Sequence, residues 1–150
     1  MNSYIRFAVM ITTSTIVMFG LMYLNTYQLD HVFFSETRAC MALVMGATMA
    51  VVMLAFMPAM YPNRRVNAAI FAASAALFAL ALWLVRSQAT VDDVAWMKAM
   101  IPHHSIAVLT SERAGITDPR VRSLADRIIE SQRREIDEMK ALIQDLESLP

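Results

Sequence analysis

Cysteine is almost missing from this chain. The one that occurs, Cys40, excludes both a disulfide framework and a CxxC redox or zinc pair. Glycine occurs three times, at Gly20, Gly46 and Gly115, which leaves no phosphate-cradling loop. Lys and Arg number 13 against 13 Asp and Glu, and no basic stripe stands out, so no nucleic-acid partner is expected. Charge itself is absent from long stretches. None occurs between Arg6 and Asp30, between Arg38 and Arg64, or between Arg65 and Arg86, gaps of 23, 25 and 20 residues.

Each gap is long enough to cross a hydrocarbon core of about 30 Å at about 1.5 Å per helical residue. A soluble helical core has no need of three such runs. The sequence therefore predicts an all-α protein with three transmembrane helices, near 7–24, 40–61 and 67–85, in an anchor over residues 1–89. A charged module follows over 90–150. The first apolar run is longer than a signal-peptide core and no small-x-small cleavage site follows it, so it reads as a retained anchor. Arg6 precedes the first span and Arg64 and Arg65 lie between the second and third. The 25–39 loop, in contrast, carries Asp30, Glu36 and one arginine, Arg38. The positive-inside rule then places the amino terminus in the cytoplasm. The 25–39 loop and the last module face outward, which for a bacterial inner membrane is the periplasm.

The module is punctuated as two antiparallel helices. Thr90-Val-Asp-Asp93 fits a capping box, Gly115 suits a left-handed residue after the first helix, and Asp118-Pro119 supplies an N-cap and an N1 proline for the second. Pro102 cannot donate to the Lys98 carbonyl and should bend the first helix beside His103. On the second helix, Val121, Ala125, Ile128, Gln132, Glu135, Met139, Leu142 and Leu146 recur by fours and threes, the seam that should face a partner helix. Folding about residues 115–118 sets Gln132 opposite Ile101 and Glu135 opposite Lys98.

Two of the three histidines fall in Met97-Lys-Ala-Met100-Ile-Pro-His103-His104. Thioether with imidazole suits copper better than magnesium or calcium, which take oxygen ligands. The polar breaks in the seam, Gln132 and Glu135, meet this cluster at one level. A buried amide or carboxylate needs a partner, and hydrogen bonding to the far nitrogen of a metal-binding imidazole is one. The candidate ligands are thus His103, His104, Met100, Met97 and Met139, with Glu135 and Gln132 behind them. Adjacent histidines point about 100° apart on a helix. One can serve this helix pair and the other a neighbouring one. The plainer reading makes the methionines core residues and Glu135 a rim partner of Lys98. Ser105, His104 and Asp118 could be drawn as a triad, but nothing in the sequence orients them, so no enzyme is expected.

Over residues 92–146 the pattern Trp96-Met97-x-x-Met100-Ile-Pro-His103-His104-x-x-Ala107-Val108 is followed by Ala125-x-x-Ile128-Ile129-x-x-Gln132-x-x-Glu135-Ile136-x-x-Met139. In order and spacing this resembles domain-of-unknown-function family 305. The resemblance implies a ferritin-like helical bundle, exported or membrane-anchored, with copper bound by some members. It also implies a homodimer, because longer relatives build four helices from two copies of the helix pair. Secreted members carry a methionine six residues after the second histidine, where this chain has Thr110.

The second span holds Met41, Met45, Met49, Met53 and Met57 at steps of four, and Met10, Met18 and Met22 lie in the first. Such thioethers suit cuprous ion, but steps of four drift about 40° each and fan the five over roughly 160°. The sequence reads best as a non-enzymatic, membrane-anchored periplasmic metal-binding protein. It would handle copper, as Cu(I), for sequestration, delivery or tolerance, as a homo-oligomer with a metal-handling partner protein. The alternative is a structural module that uses its helix pair for oligomerisation or docking.

Overall fold

The computed structural model describes residues 2–148, which form five α-helices and, among the described residues, no strand. They are α1 (Ser3–Leu21), α2 (Glu36–Phe56), α3 (Arg64–Ser87), α4 (Asp93–Arg113) and α5 (Pro119–Ser148). The chain divides into two compact units: residues up to Met22 with Thr37–Thr90, and Tyr23–Glu36 with the chain from Val91 onward. The boundary is therefore not a single cut near residue 90, because the link between α1 and α2 belongs to the second unit.

In the first unit, α1, α2 and α3 are each long and apolar enough to cross a membrane. Few of their residues are buried within the protein: 6%, 33% and 11% of the most apolar windows. Ile5, Val9, Ile16, Leu80 and Trp83 are all more than half exposed. Helices that turn apolar side chains outward in this way are suited to lipid rather than water.

Two local features set the limits of these helices. Asn2 caps α1 and Asn63 caps α3, each side chain accepting amide N–H groups of the first turn. Pro58 ends α2 early, at Phe56, because the residue before proline is pushed out of helical geometry and Met57 adopts φ −124°, ψ 48°. Met57 thus lies off the helix, and the five-methionine series expected along the second span stops at Met53. Where α1 meets α2, Thr15 packs onto Gly46, and a Cβ at Gly46 would lie 2.3 Å from Thr15 Oγ1. That hydroxyl donates to the Ile11 carbonyl at 2.8 Å, which satisfies a polar group inside an apolar helix.

In the second unit, α4 and α5 pack side by side around Met97, Ile101, Ile136, Met139 and Ile143, with Phe33, Val94 and Met100 against them. Asp92, not Thr90, caps α4 by accepting from the Ala95 amide at 2.8 Å. The α4 helix runs unbroken through Pro102, whose ring is buried. Asp118 caps α5, accepting from the Arg120 amide at 2.8 Å ahead of Pro119.

Gly115 does not take the left-handed conformation the sequence suggested, since no glycine among the described residues has positive φ. The chain instead leaves α4 through an extended Ala114 (φ −66°, ψ 137°). The left-handed residue is Gln88 at the end of α3 (φ 53°), steadied by its side chain donating to the Val85 carbonyl at 2.7 Å.

The extended exit changes the pairing register. Lys98 meets Glu147 rather than Glu135, and Arg133 meets Glu112, so these pairings depart from those a tight turn at Gly115 would set. It also rotates the seam. The residues of α5 buried against α4 are Ala125, Ile136, Met139 and Ile143, whereas Val121, Leu124, Ile128, Leu142 and Leu146 are exposed. Of the expected seam, Val121, Ile128, Leu142 and Leu146 thus lie outward while Ala125 and Met139 stay inward, and Ile136 and Ile143 complete the inner face.

Candidate functional site

The His-His pair lies at the middle of α4. There the helix is anchored on one side by α5 and on another by the short 3-10 turn Leu29–His31. His103 is exposed, while the His104 side chain is 14% accessible, and the two rings stand 6.2 Å apart at 64° to each other. They diverge as the helical pitch requires.

His104 Nδ1 lies 3.0 Å from Glu135 Oε2. The nitrogen is buried and makes no well-directed hydrogen bond, so proximity to the carboxylate is its main polar contact. Glu135 is held by Ser131, whose hydroxyl donates to Oε1 at 2.6 Å. Burial lowers the His104 pKa below the ordinary histidine range. Glu135 pulls it the other way and the neighbouring His103 adds to the lowering. Burial thus favours the neutral form of the ring, the form that binds metal. With Nδ1 turned to Glu135, Nε2 is left as the donor lone pair.

The other candidate residues take different places. Met97 and Met139 are 5% and 6% exposed inside the apolar cluster, where their thioethers pack against isoleucines. Met100 is half-buried at the edge of that cluster and Gln132 is half-buried on α5. No group of three or more His, Cys, Asp or Glu converges among the described residues.

Nothing in the sequence singles out His31 or joins it to Ser105. His31 is buried, and its Nδ1 lies 3.0 Å from Ser105 Oγ. Ser105 is fully buried and also accepts the Tyr27 amide at 2.8 Å. The serine is thus closed to solvent and tied into structure, which removes it from any triad with His104. Lys140 pairs with Asp30 beside it. The only sequence trace of this contact is a polar Asp30-His31 pair in a loop that is otherwise mostly apolar and aromatic.

The segment that carries this geometry, residues 83–148, matches the family described as Domain of unknown function (DUF305). Residues 83–148 are a DUF305 domain. An uncharacterized protein of Acanthamoeba polyphaga mimivirus is 41% identical over 64 residues. The match covers 41% of this chain and 42% of that relative, so the chain spans less than half of the relative's length. No solved structure matches. Within the DUF305 domain lie His103, His104 and Glu135. The three apolar helices precede it almost entirely, and only the last turn of α3 enters it.

Proposed function

We propose that this chain is a membrane-anchored, non-enzymatic metal-binding protein whose DUF305 domain holds copper as cargo, for sequestration, delivery or tolerance. The observation that carries the reading is the pairing of a mostly buried His104 side chain with Glu135 at 3.0 Å. A carboxylate behind one ring nitrogen orients the imidazole and raises the basicity of the other. His104 Nε2 and Met100 are the first ligands, with Met97 and Met139 next behind them and Gln132 at their flank. The exposed His103 faces a second copy. Cuprous ion is favoured by the neutral imidazole and thioether set.

A homodimer supplies what one chain lacks. Val121, Leu124, Ile128, Leu142 and Leu146 form an uncovered apolar face on α5, 36% to 49% exposed. Two helix pairs joined there make a four-helix bundle of the ferritin-like kind and bring a second set of donors to the site. The same face supports the rival reading, in which the domain is a docking module without metal. The anchor sits in a bacterial inner membrane in this reading, with its amino terminus in the cytoplasm and the DUF305 domain in the periplasm. Support comes from Tyr23–Glu36, the link between the first two spans, which folds into one unit with the domain, so both lie on one side.

Titration of the full chain in detergent with cuprous ion, under reducing conditions and against a chromophoric chelator, tests the reading. Wild type should bind at the domain and His104→Ala should lose that site, with a smaller loss for His103→Ala. Unchanged binding in both variants leaves the docking reading in its place.

A further inference from the structure

A cavity of about 370 Å³ opens in the first unit, and its lining is unusual in carrying four thioethers: Met10 of α1, Met53 of α2, and Met57 and Met60 on either end of the 3-10 turn Pro58–Met60. The local geometry explains why they converge. Pro58 forces the chain out of α2 at Met57, and the 3-10 turn that follows bonds the Met60 amide to the Met57 carbonyl at 3.1 Å. Residues three apart in a 3-10 turn eclipse one another, so Met57 and Met60 fall on the same side. Tyr61 then packs under Phe7 and brings its hydroxyl to 3.9 Å from Met53 Sδ, engaging one lone pair of that sulfur and leaving the other.

Met53 packs against the cluster of Phe7, Ala50, Leu54 and Tyr61, but the other three are not core filler. Met10, Met57 and Met60 are 42%, 43% and 50% exposed, and the space among them is open. Methionine has three rotatable side-chain bonds, so thioethers around such a space can close on an ion smaller than the cavity. The lining holds no carboxylate, imidazole or thiolate, and Arg6 adds a positive charge. A divalent ion would find no neutralising charge there, and no hard side-chain donors beyond the Ser3 and Tyr61 hydroxyls. A soft monovalent ion, held through polarisable sulfur, would meet a matching donor set.

We propose that Met10, Met53, Met57 and Met60 form a thioether site for a soft monovalent metal ion of the cuprous and silver class. The site lies outside the DUF305 domain and shares no residue with the His104 site, so it does not depend on the function proposed above. It gives the anchor a metal-binding role of its own.

The test uses the full chain in lipid nanodiscs, with silver(I) counted by native mass spectrometry and cuprous ion titrated against a chelator. Met→Leu keeps side-chain volume, so M53L/M57L/M60L should retain helix content by circular dichroism while losing one equivalent of metal. M18L/M22L should keep every equivalent. M60L alone, in an exposed turn, should weaken the site about tenfold, which tests it even if the triple variant fails to fold. Loss of an equivalent in H103A/H104A with M53L/M57L/M60L unchanged would overturn this proposal and leave the domain site standing. Loss in M53L/M57L/M60L alone would do the reverse. Wild-type protein that takes up no silver overturns it outright.

Discussion

His31 Nδ1 and Ser105 Oγ, separated by 74 residues in sequence, lie 3.0 Å apart in a buried contact. With the Tyr27 amide on the same hydroxyl, this contact pins the link between α1 and α2 to the middle of α4, one residue from His104. The neighbourhood of the His-His pair is thus shaped by a segment that sequence boundaries assign to the anchor.

Ser105→Ala should destabilise the second unit by about 1–3 kcal/mol, because it takes away the hydroxyl that serves both the half-buried Tyr27 amide and the buried His31 Nδ1. Hydrogen exchange of the Tyr27 amide reads the change directly. Exchange as slow as in wild type would show that the contact does not hold the segment.

Burial lowers the His31 pKa, and Lys140 lowers it further against the opposing pull of Asp30 and Asp137. The unfolded chain takes up this proton near pH 6.5, the folded chain only below it. Between those values the unfolded state binds more protons, so stability is full above about pH 6.5 and falls as pH drops toward the folded value. Thermal unfolding between pH 5 and pH 7.5 should show the slope, and His31→Gln should flatten it in part, since His104 titrates in the same sense. A His31→Gln profile identical to wild type would remove His31 from this account.

Glu135→Gln keeps the shape of the side chain but removes the charge beside His104. If the carboxylate orients the imidazole for copper, cuprous affinity at the domain should fall about 10–100-fold while the fold is retained. Ser131→Ala, which frees one oxygen of Glu135, should have a smaller effect in the same direction. Equal affinity in wild type and Glu135→Gln would leave the His104–Glu135 contact a structural role only.

Gly46→Ala places a methyl group against Thr15 Oγ1, and moving that hydroxyl breaks its bond to the Ile11 carbonyl. A loss of about 1–3 kcal/mol in denaturation of the detergent-solubilised chain is expected. Thr15→Ala in the same chain should recover most of it, so a double-mutant cycle reports coupling. Additive effects would mean that the two residues do not meet.

Leu124→Glu with Ile128→Glu charges the uncovered face of α5. If the proposed homodimer forms through this face, cross-linking of the full chain should shift from dimer to monomer with little change in helix content. Persistence of the dimer would move the interface elsewhere.

Much of the architecture was legible in the chain itself, because its causes are local. Three runs without charge, each about a bilayer long, require apolar helices whatever else the protein does. Asp118-Pro119 starts α5 through hydrogen bonds within one turn, and the His-His pattern with its methionines and Glu135 carries the resemblance to the DUF305 family that the match over residues 83–148 supports. What remained hidden depends on how elements meet. A tight turn at Gly115 and an extended exit at Ala114 are both open to the same residues, and that choice set the register and decided that Ile136 and Ile143 face inward while Leu142 and Leu146 face out. The meeting of Glu135 with His104 rather than Lys98 follows from it. The His31–Ser105 contact and the convergence of Met10 with Met53, Met57 and Met60 are long-range. Helical periodicity places a side chain on a face, but only tertiary packing determines which other face it meets.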